Sequence, residues 1–187
     1  MSNMLCGDVE LQELMAAIQS DDQDEIMRVD RLLRSYPDDP RLHFLRGSLL
    51  ASIGRPIEAL PSLRKAVDLA PDFAIARFQL GFFQLTSGEA VDALNTWGPI
   101  VLLPEGHYLR FFVGGLTHLI RDEFPDTIAR LEEGIAANEE NPALNRDMQL
   151  IIDQVRAIQS APLPDNDGAM ASATSFLLDQ FSGRRPN

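Results

Sequence analysis

The chain has 187 residues, 45% of them apolar, enough for one domain with a sizeable core. Its formal net charge of −12 argues against binding nucleic acid or an anionic membrane surface, because both would repel it. Cys6 is the only cysteine, which excludes an internal disulfide and thiolate metal clusters.

The N-terminal MSNMLCGD lacks a positive flank and a long apolar run, so it does not read as a signal peptide. No segment reaches the roughly 18 apolar residues of a membrane span. The expected location is the cytoplasm. In chain order, helices are predicted over 8–19 and 22–35, closed by Pro37. A second pair follows at 40–53 and 56–69, joined by Gly54-Arg55, with Pro56 at the first helical position, where proline is tolerated. The third pair is 73–86 and 89–103 around Ser87-Gly88, and the fourth is 107–121 and 125–137 around Asp122-Glu123. The stretch 142–158 carries Leu144, Met148, Ile151, Ile152, Val155 and Ile158 on one face, an amphipathic capping helix. After Gln159 the run SAPLPDNDGAMAS has the composition of a linker, and a last apolar patch follows at Phe176, Leu177, Leu178 and Phe181.

These pairs share one period. Phe44, Phe78 and Phe112 are 34 residues apart, as are Gly47, Gly81 and Gly115. Gly54, Gly88 and Asp122 recur in the same register, followed by Ala59, Ala93 and Thr127. A fixed period of this length marks a solenoid of stacked helical hairpins. Helical glycine costs roughly 1 kcal/mol against alanine, so glycines recurring inside helices require close helix–helix contact. Pro61 lies within a predicted helix and implies a kink, while Gly98-Pro99 implies a break or strong bend.

The spacing resembles the tetratricopeptide repeat. Gly47, Gly54, Ala59, Leu63, Ala66 and Pro71 fit the motif in one unit, and Gly81, Gly88, Ala93 and Trp97 in the next. Gly115, Leu131 and Gly134 fit in the last, where Asp122 and Thr127 depart from it. The resemblance covers residues 40–137 well and 6–39 poorly. It implies an all-α solenoid of about three clear repeats, one degenerate N-terminal repeat and a capping helix, forming a domain over 1–159 with a tail over 160–187.

The resemblance also implies a concave groove lined by the second, fifth, ninth and twelfth places of each first helix. Those places hold Arg41, Phe44, Ser48 and Ala51, then Ile75, Phe78, Phe82 and Leu85, then Leu109, Phe112, Leu116 and Leu119. Such a groove is oily and suits an apolar helix or peptide of a protein partner. Phe44, Phe78 and Phe112 have a second reading as core residues filling the space beside a glycine. Trp97 stands at a packing position and is expected in the core. Phe176, Leu177 and Phe181 are expected either to enter the groove, in cis or in a swapped homodimer, or to pack on the 142–158 helix.

Catalytic constellations are scarce. His43, His107 and His118 have no ligand spacing, and His118 reads as a packing residue. The acids Asp21, Asp22, Asp24 and Glu25 lack the glycine and closing glutamate of a calcium loop. There is no phosphate-binding glycine loop and no nucleophile elbow. The chain reads as a non-enzymatic adaptor or chaperone without cofactor or metal. The alternative is a structural subunit that self-associates or is built into a larger assembly.

Overall fold

A computed structural model describes residues 5–19 and 24–160, and among them every regular element is helical. They are α1 (Asp8–Gln19), α2 (Glu25–Ser35), α3 (Pro40–Ser52), α4 (Pro56–Leu69), α5 (Ala74–Thr86), α6 (Ala90–Trp97), a 3₁₀ segment (Gly98–Leu102), α7 (Tyr108–Ile120), α8 (Phe124–Ala137) and α9 (Pro142–Ser160). The chain divides within α5, between Phe83 and Gln84, into two compact units.

In the first unit α3 and α4 form a tight antiparallel hairpin, and α1 and α2 precede it. Gly47 explains how closely the hairpin closes. A Cβ there would lie 2.7 Å from Leu63 Cγ and 3.1 Å from the Leu63 backbone nitrogen. Such distances leave no room for a methyl group, so only glycine lets α3 approach α4. Leu63, Ala66, Val67, Ala76 and Leu80 form the core on this hairpin, with Phe44, Leu60, Phe73 and Phe83 packed around them. A separate cluster of Cys6, Leu14, Val29 and Leu42 joins α1, α2 and α3.

The second unit repeats the device in α7 and α8. A Cβ on Gly115 would lie 2.7 Å from Leu131 Cδ2 and 3.2 Å from the Leu131 nitrogen. α9 then packs on α8 through Leu144, Met148, Ile151, Ile152 and Val155, all buried. The corner between them is held by asparagines. The Asn138 side chain donates to Asn141 O (2.9 Å) and Asn145 Oδ1 (2.7 Å), and it accepts from the Glu140 and Asn141 amides.

The turns repeat at the level of backbone geometry. Gly54 (φ 70°), Gly88 (φ 84°) and Asp122 (φ 56°) all adopt the left-handed region. Each closes the same pair of bonds: Gly54 N to Ala51 O and Arg55 N to Leu50 O, Gly88 N to Leu85 O and Glu89 N to Gln84 O, Asp122 N to Leu119 O and Glu123 N to His118 O. This is the Schellman pattern of a helix C-terminus. Asp122 departs from glycine in sequence but keeps the conformation, which aspartate tolerates better than most side chains.

The two internal prolines leave helices of different continuity. α4 runs unbroken from Pro56 to Leu69 through Pro61. The carbonyl that loses its donor there belongs to Ile57, a residue 88% exposed, so water can take the place of the missing amide. At Gly98-Pro99 the expected break occurs, since α6 ends at Trp97 and the chain continues as a 3₁₀ turn. The predicted capping helix extends two residues beyond Ile158, to Ser160.

Candidate functional site

The proline break shapes a cleft. Where α6 gives way to the 3₁₀ segment, the chain leaves an opening of about 320 Å³ beside α7. Leu94, Trp97, Ile100 and Val101 line one side, and Arg110, Val113, Gly114 and Thr117 line the other, with Gly98 between. The α7 residues fall at i, i+3, i+4 and i+7, a single helical face. A Cβ on Gly98 or Gly114 would meet no atom within 4 Å, in contrast to Gly115 one residue on. These two glycines therefore open space, whereas Gly115 closes it.

Among the described residues, Arg110 is the only charged one lining the cleft. Its Nη1 donates to Leu103 O at 2.9 Å, which ties α7 to the end of the 3₁₀ segment. Five N–H donors sit on a guanidinium, so this bond engages one of them. Thr117 commits its hydroxyl to Val113 O at 2.7 Å and so adds little polarity. The rim is apolar and open: Val101 is 63% exposed, and the neighbouring Leu102 85%.

The expected groove residues are placed otherwise. Phe78, Leu85, Leu109, Phe112, Leu116 and Leu119 are buried, each at most 1% exposed, so the open groove expected of them is corrected to core. The cause is explicit for Phe112. A Cβ on Gly134 would lie 2.4 Å from Phe112 Cδ1, so the ring fills the space that α8 leaves empty. The core reading of the Phe-x-x-Gly beat prevails there. Phe44, Ile75 and Phe82 are half-buried. Phe44 meets Phe73 edge to face at 5.4 Å, and Phe82 stacks parallel on Phe78 at 6.1 Å. Trp97 is buried as expected.

Arg41, another groove expectation, serves the N-terminus instead. Asp39 is fully buried and accepts from Cys6 N (2.9 Å), Arg41 N (2.9 Å) and Arg41 Nη2 (2.7 Å). Arg41 Nη2 also donates to Cys6 O at 2.7 Å. Burial alone would raise the Asp39 pKa, but these hydrogen bonds outweigh it and hold the carboxyl below its usual range. Burial pushes the Cys6 thiol up, with the charges of Glu10 and Asp39 adding to the effect, so it is a packing residue and a poor nucleophile.

Two other features are weaker as sites. A cleft of about 200 Å³ between α1 and α2 is lined by Glu10, Glu13, Arg28 and Arg31 around Leu14 and Leu32. An apolar guest there would strip water from four charged groups. His118, Glu123 and Asp126 hold their donor atoms within 4.8 Å of one another. His118 is half-buried, and its Nδ1 is hydrogen-bonded to Glu123 Oε2 at 2.5 Å across the α7–α8 turn. Glu123 is the N-cap residue of α8 and Asp126 stands in its first turn, where their charge favours the helix. Phe176, Leu177 and Phe181 lie outside the described residues.

Sequence reasoning did not single out the cleft. Two signals for it were present: the Gly98-Pro99 break, and Gly114, a helical glycine at a place where the other units carry Arg46 and Leu80. A glycine outside the repeat register has no periodic packing reason.

Comparison with known proteins agrees on the fold. No protein-family model and no curated protein matches the chain. Among solved structures, "MamA RS-1 ArsTM double mutant" matches with 14% identity and a TM-score of 0.57, over 82% of this chain and 86% of that one. "MamA 41-end from Desulfovibrio magneticus RS-1" matches with 14% identity and a TM-score of 0.56, over 83% and 99%. Both are tetratricopeptide-like α-solenoids, and that is the fold class of this protein. At this identity the likeness concerns fold alone. Among the described residues no helix is long and apolar enough to cross a membrane.

Proposed function

We propose that the protein is a non-enzymatic interaction module that holds an apolar segment of a protein partner in the cleft between α6, the 3₁₀ segment and α7. One observation carries this reading. The cleft is open and apolar, with a single guanidinium among its described lining residues and an exposed Val101 at its edge. Exposed apolar surface of this kind marks interaction sites in soluble proteins. A guest with two or three large apolar side chains and one carboxylate suits it, the carboxylate meeting Arg110 and the apolar groups excluding water. The solenoid fold supports the same reading, because such folds present extended surfaces to other chains. An adaptor or chaperone role follows if the guest is a separate protein.

The test uses a photo-crosslinking amino acid at Val101 in the full chain expressed in its own cells, beside the same probe combined with Gly114→Leu. A Cβ at this position meets nothing within 4 Å, and the leucine side chain extends from there into the cleft. Crosslinks to a defined apolar peptide that vanish in the Gly114→Leu chain support the reading. Crosslinks that persist in that chain, or none at all, overturn it.

A further inference from the structure

We propose that the resting occupant of this cleft is the chain's own C-terminal segment, residues 176–181 (FLLDQF), with Asp179 facing Arg110. The inference rests on the cleft being a binding site and names what holds it. Three observations converge on this segment. The first is reach. α9 ends at Ser160, and the 15 residues before Phe176 span about 50 Å when extended. α9 itself, the longest helix of its unit, is about 28 Å long. The tether can thus bring Phe176 to any face of the unit that carries the cleft.

The second observation is composition. Beyond Ser160 the large apolar side chains are Leu163 and Met170, then Phe176, Leu177, Leu178 and Phe181, so four of the six are gathered in six residues. The cleft offers Leu94, Trp97, Ile100, Val101 and Val113 to such a cluster. Charge is the third. Asp179 is the one charged residue within 176–181, and Arg110 is the one charged residue lining the cleft among the described residues. In a chain of net charge −12, an isolated cation in an apolar cleft selects a carboxylate, and the pair would be partly shielded from water.

Tethering sets the energetics. A link of 15 residues gives an effective concentration of about a millimolar, so even a weak contact is occupied within one chain. A partner must then exceed that threshold to enter, and the segment acts as a built-in competitor. Its apolar side chains are covered until a partner displaces them.

The experiment is a cysteine-pair crosslink in the full chain. Val101→Cys and Gln180→Cys are introduced together, and disulfide formation is followed under mild oxidation at low protein concentration. Native Cys6 is buried and reacts slowly. The reference pair is Ile57→Cys with Gln180→Cys, Ile57 being 88% exposed and in the other unit. The expected result is an intrachain 101–180 bond forming at least about tenfold faster than the reference. It slows to the reference rate when Asp179→Arg or Gly114→Leu is added. Equal rates for the two pairs would overturn the proposal, as would a bond that joins two chains. In either case, crosslinks from Val101 to a separate partner would leave the binding role of the cleft standing.

Discussion

Adjacent glycines on α7 should respond to the same substitution with opposite sign. Gly115→Ala places a methyl carbon 2.7 Å from Leu131 Cδ2, 2.8 Å from Cγ and 3.2 Å from the Leu131 backbone nitrogen. Leu131 is fully buried, so its side chain cannot swing clear, and the backbone contact means that α8 itself must shift. Overpacking of this kind costs about 1–3 kcal/mol. Replacing a helical glycine by alanine returns about 1 kcal/mol, which leaves Gly115→Ala destabilised by about 0–2 kcal/mol. Gly114→Ala meets nothing within 4 Å and keeps the whole propensity gain, about 1 kcal/mol of stabilisation. The two variants should therefore differ by about 1–3 kcal/mol in the transition that reports on α7 and α8. Urea unfolding followed by helical circular dichroism and by the single tryptophan, Trp97, measures this directly. If Gly115→Ala matches or exceeds Gly114→Ala in midpoint, the close-contact account of the repeat glycines is wrong.

Other expectations concern the caps and corners. Asp39→Asn should destabilise the first unit by about 1–3 kcal/mol, because it weakens the Arg41 pair and the N-cap while staying buried. The Asp39 pKa is lowered on folding, so its stabilisation is fully present above the unfolded value of about 4 and is lost as pH falls through the lower folded value. Unfolding midpoints measured from pH 6 to pH 2 should show a shallower acid limb in Asp39→Asn, and identical limbs would exclude Asp39 as a contributor. Asn138→Ala removes four side-chain hydrogen bonds at the α8–α9 corner and should cost about 1–3 kcal/mol. Amide exchange should then speed up in α9 while α3 and α4 stay unchanged. Asp122→Gly should raise the unfolding midpoint by about 0.5–1 kcal/mol equivalent, since φ is 56° there and glycine removes the Cβ penalty. An unchanged or lowered thermal midpoint would show that the Asp122 side chain contributes more than its backbone strain costs.

The sequence by itself determined the helical hairpins, their period and their turns. Each depends on a local constraint that few residues satisfy. Gly47 and Gly115 mark close contact because nothing larger fits against Leu63 and Leu131. Gly54 and Gly88 mark the chain reversals because positive φ disfavours side chains, and the 34-residue register carried the same turn to Asp122. Gly98-Pro99 announced the end of α6 for the same kind of reason. Only the tertiary structure decided which apolar side chains are covered. Phe44 and Phe112 hold the same repeat position, yet Phe112 is fully buried opposite Gly134 and Phe44 is half-buried against the cluster of Leu63, Ala66 and Val67. Helical periodicity says which face is apolar. It does not say whether another helix, or nothing at all, lies against that face, and at Gly114 the answer is an open cleft.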